Sequence, residues 1–388
     1  MSAVGDEQAR TSDQQAPPQD EPSLHLLQIV NTLATSDGGP ARNAWDLFDA
    51  FPVGIRQGLV WMHGARQDSL AQGWRDGPRS SGVWGRSERH GLRRLFRALA
   101  ATDVVVIHGY YLWWTTPVAV AAKIMRKRIL LTPHGALTAY QQGFSVRKKQ
   151  VFEATVGWLL RASVDRFVTG SNREKAELRE RFPTLDVAMA GVGTPLRTAP
   201  IASQTWRREL CLLSVSRIAP KKRLDLAIRA VAALVEQGDS AVLTIAGNGE
   251  DGLIASLKQL SQDLGLQDRV MFLGQQDSEQ VTNLFRTADI FLAPSDDENF
   301  GIASAEAIAA GLPIIASRAV DALDGIEGNF VVKLDSREPA AIAEAAQWLR
   351  SCDRAELVRG AFAASRRFGW PIVAERWLEL MNAPESRR

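Results

Sequence analysis

Two carboxylates around one glycine define the first chemistry available to this 388-residue chain. In residues 289–317, DIFLAPSDDENFGIASAEAIAAGLPIIAS, a strand-like apolar run leads into a polar loop, then Gly301, then a helix. A helix start has free backbone N–H groups and the positive end of the dipole. A phosphate is therefore favoured at residues 300–303 without any particular side chain. Glu298 precedes the helix and Glu306 lies about one and a half turns inside it, so they could touch different parts of one extended ligand. A carboxylate on a helix wall suits the paired hydroxyls of a ribose. Ala305 and Ala307 flank Glu306, which argues for a packed rather than a solvated position.

Other chemistries have weaker support. Cys211 and Cys352 offer neither metal spacing nor a disulfide framework, so a reducing cytoplasm is expected. Asp296 and Asp297 alone are poor metal ligands, and no metal or cofactor is expected. Gly247-Asn-Gly249-Glu-Asp-Gly252 matches the dinucleotide fingerprint, which would suit an NAD-dependent oxidoreductase. The following apolar run lacks the acidic residue such a site needs, and it runs into Gly274 and two glutamines. A tight turn is the better reading. Hydrophobic residues at 45% and charged residues at 23% exclude a mostly disordered chain or a collagen-like repeat.

The elements that must position these groups alternate. Buried strands are expected at 25–30, 104–108, 129–132 and 166–169, then at 212–215, 241–246, 270–273, 290–293 and 314–316. Helices are expected near 93–100, 117–125, 151–161 and 172–181, then 224–236, 253–263, 279–287, 303–310 and 339–351. Residues 191–208, rich in Gly, Pro, Ser and Thr, separate the two series. Two doubly wound α/β domains follow, with ligand in the cleft at the carboxyl ends of the strands. Residues 1–22 read as a disordered tail, 23–195 as the first domain and 196–369 as the second, with a helix in 370–388 packing back on the first.

The residues E-NFGIASA-E, followed by AIAAGLPIIAS, resemble the signature of glycosyltransferase family 4, retaining nucleotide-sugar transferases of the GT-B fold. The resemblance extends over nearly the whole second half. LLSVSRIAPKKRLDLAIRA is similar to the family segment in which an Arg and a Lys five positions later grip the donor diphosphate. It implies those roles for Arg217 and Lys222, with Lys221 an adjacent alternative and Arg223 where glycine is common. TIAGNGE is similar to a further glycine turn, which brings Gly247 and Gly249 to the donor. The resemblance implies that Glu298 holds the sugar and Glu306 the ribose, with Asn299, Phe300, Gly301 and Ile302 at the donor phosphate. It also implies a UDP- or GDP-sugar as donor. Electrostatics agrees: a departing diphosphate needs fixed cations where its charge develops.

The first half resembles the family less. Gly38 and Gly39 follow the first strand, either as a loop approaching the donor or as an ordinary turn. In TPHGALTAY, His134 stands where the family's His contacts the sugar. His108, ending VVVIH, either faces the acceptor or is structural. Ser171 and Glu174 read as a helix capping box.

The first 200 residues carry 25 basic and 18 acidic groups, and residues 86–149 carry 12 and 2. Beside Trp158, Leu159 and Leu160 this charge fits an anionic bilayer surface as well as solvated helix faces. Trp113 and Trp114 suit either acceptor stacking or an interface. Nucleic acid is not expected, because the net charge is only +2 and no recognition motif occurs. The expectation is a hexosyltransferase of polysaccharide assembly, acting on a glycan or lipid-linked acceptor, in the cytoplasm or peripheral on the inner membrane face. A non-catalytic nucleotide-sugar-binding scaffold is the alternative.

Overall fold

The computed structural model describes residues 24–34, 39–52, 54–65, 69–71, 80–88, 90–336 and 338–384; the expected tail and Gly38 lie outside these. Parallel pairing builds two sheets. The first contains β1 (Leu24–Val30), β2 (Ile55–Trp61), β3 (Ser80–Gly85), β4 (Val104–His108), β5 (Arg128–Thr132), β6 (Arg166–Thr169) and β7 (Val187–Met189). Its order is β3-β2-β1-β4-β5-β6-β7. The second contains β8 (Leu210–Val215), β9 (Ala241–Ala246), β10 (Val270–Gly274), β11 (Ile290–Ala293), β12 (Ile314–Ser317) and β13 (Val331–Leu334). Its order is β10-β9-β8-β11-β12-β13.

Both sheets reverse direction beside their first strand, between β1 and β4 and between β8 and β11. Loops leave such a switch point on opposite faces and open a crevice at the carboxyl ends. The central strands carry the core: every residue of β4, β11 and β12 is buried. Parallel strands covered by helices on both faces are near-continuous apolar runs, and these are apolar except at their carboxyl ends, where β4 closes with His108 and β12 with Ser317.

Four strands escape the sequence pattern. β3 (SSGVWG), β7 (VAM) and β13 (VVKL) are edge or near-edge strands, short or glycine-rich, with less need of apolar runs. β2 hides behind Arg56 and Gln57, whose side-chain Nε2 donates to the Phe48 carbonyl at 2.5 Å.

The continuous helix expected at 151–161 is instead Val146–Phe152, a π turn at Glu153–Gly157, and Trp158–Ser163. Glu153 is drawn to Arg161, and its Oε1 accepts from the Tyr111 hydroxyl at 3.0 Å. A Cβ at Gly157 would lie 2.5 Å from Glu153 Oε2, so glycine leaves space for the wider turn.

The chain crosses between sheets twice. After the second sheet, helix Trp370–Asn382 returns to the first, where Trp370, Val373, Trp377 and Met381 join Leu26, Val104, Val106 and Leu130 in one cluster. A Cβ on Gly193 would sit 2.2 Å from the Trp370 ring, so the outgoing and returning strands of chain touch. Trp377→Ala should lower the unfolding free energy by about 3–5 kcal/mol in urea denaturation monitored by circular dichroism.

Candidate functional site

The crevice at the second switch point is a cavity of about 430 Å³. Its second-half lining runs from Ser214 to Arg217, through Lys221 and Lys222, and from Phe291 to Ser304 with gaps only at Asp296 and Asp297. Gly39, Pro40, Asn43 and His134 face it from the first half.

Arg217 follows β8 and is exposed to the cleft, with no ion-pair partner among the described residues. Its loop is fixed by backbone. The Ile218 amide donates to the Asn248 carbonyl at 2.8 Å, and Ile218 bridges Gly249. A Cβ on Gly247 would lie 1.8 Å from the Ser216 oxygen, and one on Gly249 2.2 Å from the Ile218 oxygen. Gly247 and Gly249 do not line the cleft. What approaches them is the Arg217 loop, not a phosphate. This also removes the dinucleotide reading of Gly247, Gly249 and Gly252.

Lys222 ends a 3-10 turn, Pro220–Lys222, and is ion-paired with Glu298 Oε1. Arg223 then takes φ +49°, the left-handed conformation that glycine adopts without strain. Lys221 pairs elsewhere, 2.9 Å from Asp297 Oδ2. Gly301, at φ +95°, turns the chain into helix Ile302–Ala310, whose first residues line the cleft. Phe300 is buried against Phe368 with ring centroids 5.9 Å apart, so its aromatic ring is structural and its backbone faces the cleft. The buried Oδ1 of Asn299 has no donor among the described residues.

Glu306 stands apart from the other three. It lies on the same helix but opens into an adjoining cavity of about 120 Å³ with Arg42, Arg197, Asp277 and Ser278. Among the described residues its carboxylate has no hydrogen bond or ion pair, and burial pushes its pKa up to about 7 against the pull of Arg42. A dehydrated carboxylate lacking donors is ready to accept ligand hydroxyls.

On the first sheet, Gln28 of β1, His108 of β4 and His134 after β5 form a buried row. Nδ1 of His108 lies 3.0 Å from Nε2 of His134, and its Nε2 lies 3.0 Å from Gln28 Oε1. The rings stack with centroids 5.2 Å apart. Burial lowers the pKa of His134 to about 4 and drives that of His108 well below its usual value, so both are neutral near pH 7. His134 lines the cleft; His108 stands behind it, 2% exposed, and does not face an acceptor.

Gly39 packs on the donor-side helix, since its Cβ would lie 3.5 Å from Ile302 Cδ1. Ser171 caps its helix by accepting from the Glu174 amide at 3.1 Å, but the reciprocal half of a capping box is absent. The Glu174 carboxylate instead accepts from Gly135 N at 2.5 Å and Gly170 N at 3.0 Å. Trp114 is core, donating to Asn31 Oδ1 at 3.1 Å, whereas Trp113 is 62% exposed. Arg42, Asn43 and Arg173 carry no recognisable spacing, and that of Glu174 points only to a helix cap; the fold alone brings them here. Among the described residues, no three His, Cys, Asp or Glu gather as metal ligands.

Residues 202–361 match the family model described as glycosyl transferases group 1, and residues 63–188 match the model described as glycosyltransferase family 4. The D-inositol 3-phosphate glycosyltransferase of Xylanimonas cellulosilytica is 31% identical over 57% of this chain and 58% of its own length. That of Saccharomonospora viridis is 36% identical over 44% and 42%. This chain thus spans about half the length of the curated relatives it matches. Anabaena HepE in complex with UDP and glucose superposes with a TM-score of 0.72 at 18% identity, over 93% of this chain and 100% of that one. Sucrose-phosphate synthase of Thermosynechococcus elongatus gives 0.68 at 18% identity, over 92% and 98%. The second half thus matches a group 1 and the first half a family 4 glycosyltransferase model, and the two facing sheets give the chain the GT-B fold.

Proposed function

We propose that this chain transfers a hexose from a UDP- or GDP-sugar to a glycan or lipid-linked acceptor, with retention of anomeric configuration and without a metal. One observation carries the proposal: unpaired Arg217, Lys222 and the N-terminus of helix Ile302–Ala310 converge on one cleft at a sheet switch point. That is an anion site of diphosphate type.

In this reading Arg217 and Lys222 stabilise the charge that develops on the departing diphosphate. Glu298, which pairs with Lys222, is positioned to accept sugar hydroxyls once the lysine turns to phosphate. Glu306 takes the ribose. Neutral His134 offers the sugar a hydrogen-bonding group that cannot repel an oxocarbenium-like charge near pH 7.

The acceptor side is read from the first-half surface. Phe144, Val146, Val151, Val156 and Trp158 are exposed on a stretch that also carries exposed Arg147 and Lys148. Leu92 and Phe96 project from helix Gly91–Ala101 beside exposed Arg93 and Arg97. Apolar groups among cations suit the surface of an anionic bilayer, where a lipid-linked acceptor of polysaccharide assembly would be met. No described helix is long and apolar enough to cross a membrane.

A thermal-shift panel of UDP-, GDP- and ADP-sugars, followed by turnover on acceptor extracts, tests the reading. Arg217→Ala should lower kcat by roughly 100- to 1,000-fold. Donor binding without turnover on any acceptor would favour the non-catalytic scaffold, and binding of none would sink the reading.

Glu306→Gln should weaken nucleotide binding and change the pH dependence of stability. A carboxyl with a raised folded pKa contributes most at low pH, and the contribution is lost as pH rises from about 4.5 to about 7. The variant should therefore gain stability relative to wild type across that window, measured by urea denaturation at stepped pH.

Co-sedimentation with vesicles containing anionic lipid should decrease for Trp158→Ser and Phe144→Ser, and should fall as salt rises.

A further inference from the structure

The first turn of helix Asn172–Arg181 grips both sides of the cleft at once. Glu174, 1% exposed, points into the first half and accepts from the Gly135 amide, the peptide that follows His134. Its neighbour Arg173 points across to the second half. There its Nη2 donates to the Glu298 carbonyl and lies 3.3 Å from Asp297 Oδ1, while its Nε donates to Asp321 Oδ2 at 3.1 Å. Asp297 is held from its other side by Lys221, the residue before Lys222. A Cβ on Gly135 would lie 2.9 Å from Asn299 Cγ, so the two gripped segments also meet each other.

We infer that Arg173 and Glu174 are positioning residues for the transfer, fixing the peptides of His134–Gly135 and Glu298 at one separation across the cleft. The inference rests on the reading that His134 and Glu298 face the donor sugar. Neither Arg173 nor Glu174 lines the cleft; Arg173 opens instead on a separate cavity with Arg318, Asp321 and Lys333. Arg173 therefore acts through the groups it holds. Its acceptors are strongly buried, with Asp297 5% and Asp321 7% exposed, so removing the guanidinium leaves dehydrated carboxylates short of a cation and frees the loop that carries Glu298. Because two consecutive residues supply the two grips, displacing one half of the molecule displaces the register of both sugar-facing peptides.

The test compares Arg173→Met, Arg173→Lys and Glu174→Gln in the full chain by hydrogen exchange, thermal melting and donor kinetics. Arg173→Met should accelerate exchange in peptides covering 296–301 and 134–137, with the rest of the second sheet protected as in wild type. It should lower kcat by roughly 10- to 100-fold while donor KM stays nearly unchanged. Arg173→Lys should restore part of both. Glu174→Gln should accelerate exchange at 134–137 first. Unchanged exchange at both segments, or unchanged kcat with exchange accelerated, would overturn the inference. Exchange accelerated throughout the second half would overturn it too, because that marks a general folding role. If wild-type protein neither binds nor turns over any nucleotide sugar, the functional reading fails while the exchange comparison still decides whether the two peptides are coupled.

Discussion

A fixed positive charge facing the cleft is the constraint on which the rest depends. Among the described residues Arg217 has no ion-pair partner, so its loop is not held by the charge it presents. It is held by peptide groups, through the Ile218 amide on the Asn248 carbonyl, at an approach that only glycine at 247 and 249 permits. Lys222 solves the same problem differently, by an ion pair with Glu298 that a stronger anion can replace. One cation thus faces the cleft without a partner among the described residues while the other is neutralised by Glu298, which limits repulsion between them.

Charge is segregated within the cleft. Fixed cations and the helix start occupy the second-half wall, whereas the first-half wall presents neutral imidazole and glycine backbone. Burial keeps His108 and His134 neutral, and it pushes the pKa of Glu306 and of Glu174 to about 7. These groups have been dehydrated without being paired by countercharges strong enough to offset the burial. Of these only His134 and Glu306 line a cavity, where a ligand's hydroxyls could reach them.

The second half was readable because its chemistry is local. β9 and β11 coincide with the apolar runs, Gly301 ends the loop where the pattern has it, and Glu298 sits with Lys222 as two short motifs suggested. What one sequence cannot carry is partnership between distant residues. Ser171 and Glu174 have capping-box spacing, yet the Glu174 carboxylate is used 39 positions away by Gly135. His108 ends a strand like a ligand residue, but β5 brings His134 in front of it. Edge strands such as β3 and β13 were missed because one open side relaxes the demand for apolar residues.

The same logic explains why the two halves differ in legibility. In the function proposed for it, the second half takes a ligand whose diphosphate is the same whatever the sugar, so similar chemistry leaves similar short motifs. The first half, proposed to meet the acceptor, is distinguished by a spread of exposed Phe96, Phe144 and Trp158 among arginines and lysines rather than by a pocket with fixed spacing. A surface of that kind works by area and charge density, which many arrangements satisfy equally. Returning helix Trp370–Asn382 to the first sheet then ties the two halves together through packing, with Trp370 against Gly193 and Trp377 in the core, so the separation of the two cleft walls rests on buried apolar contacts rather than on the exposed face.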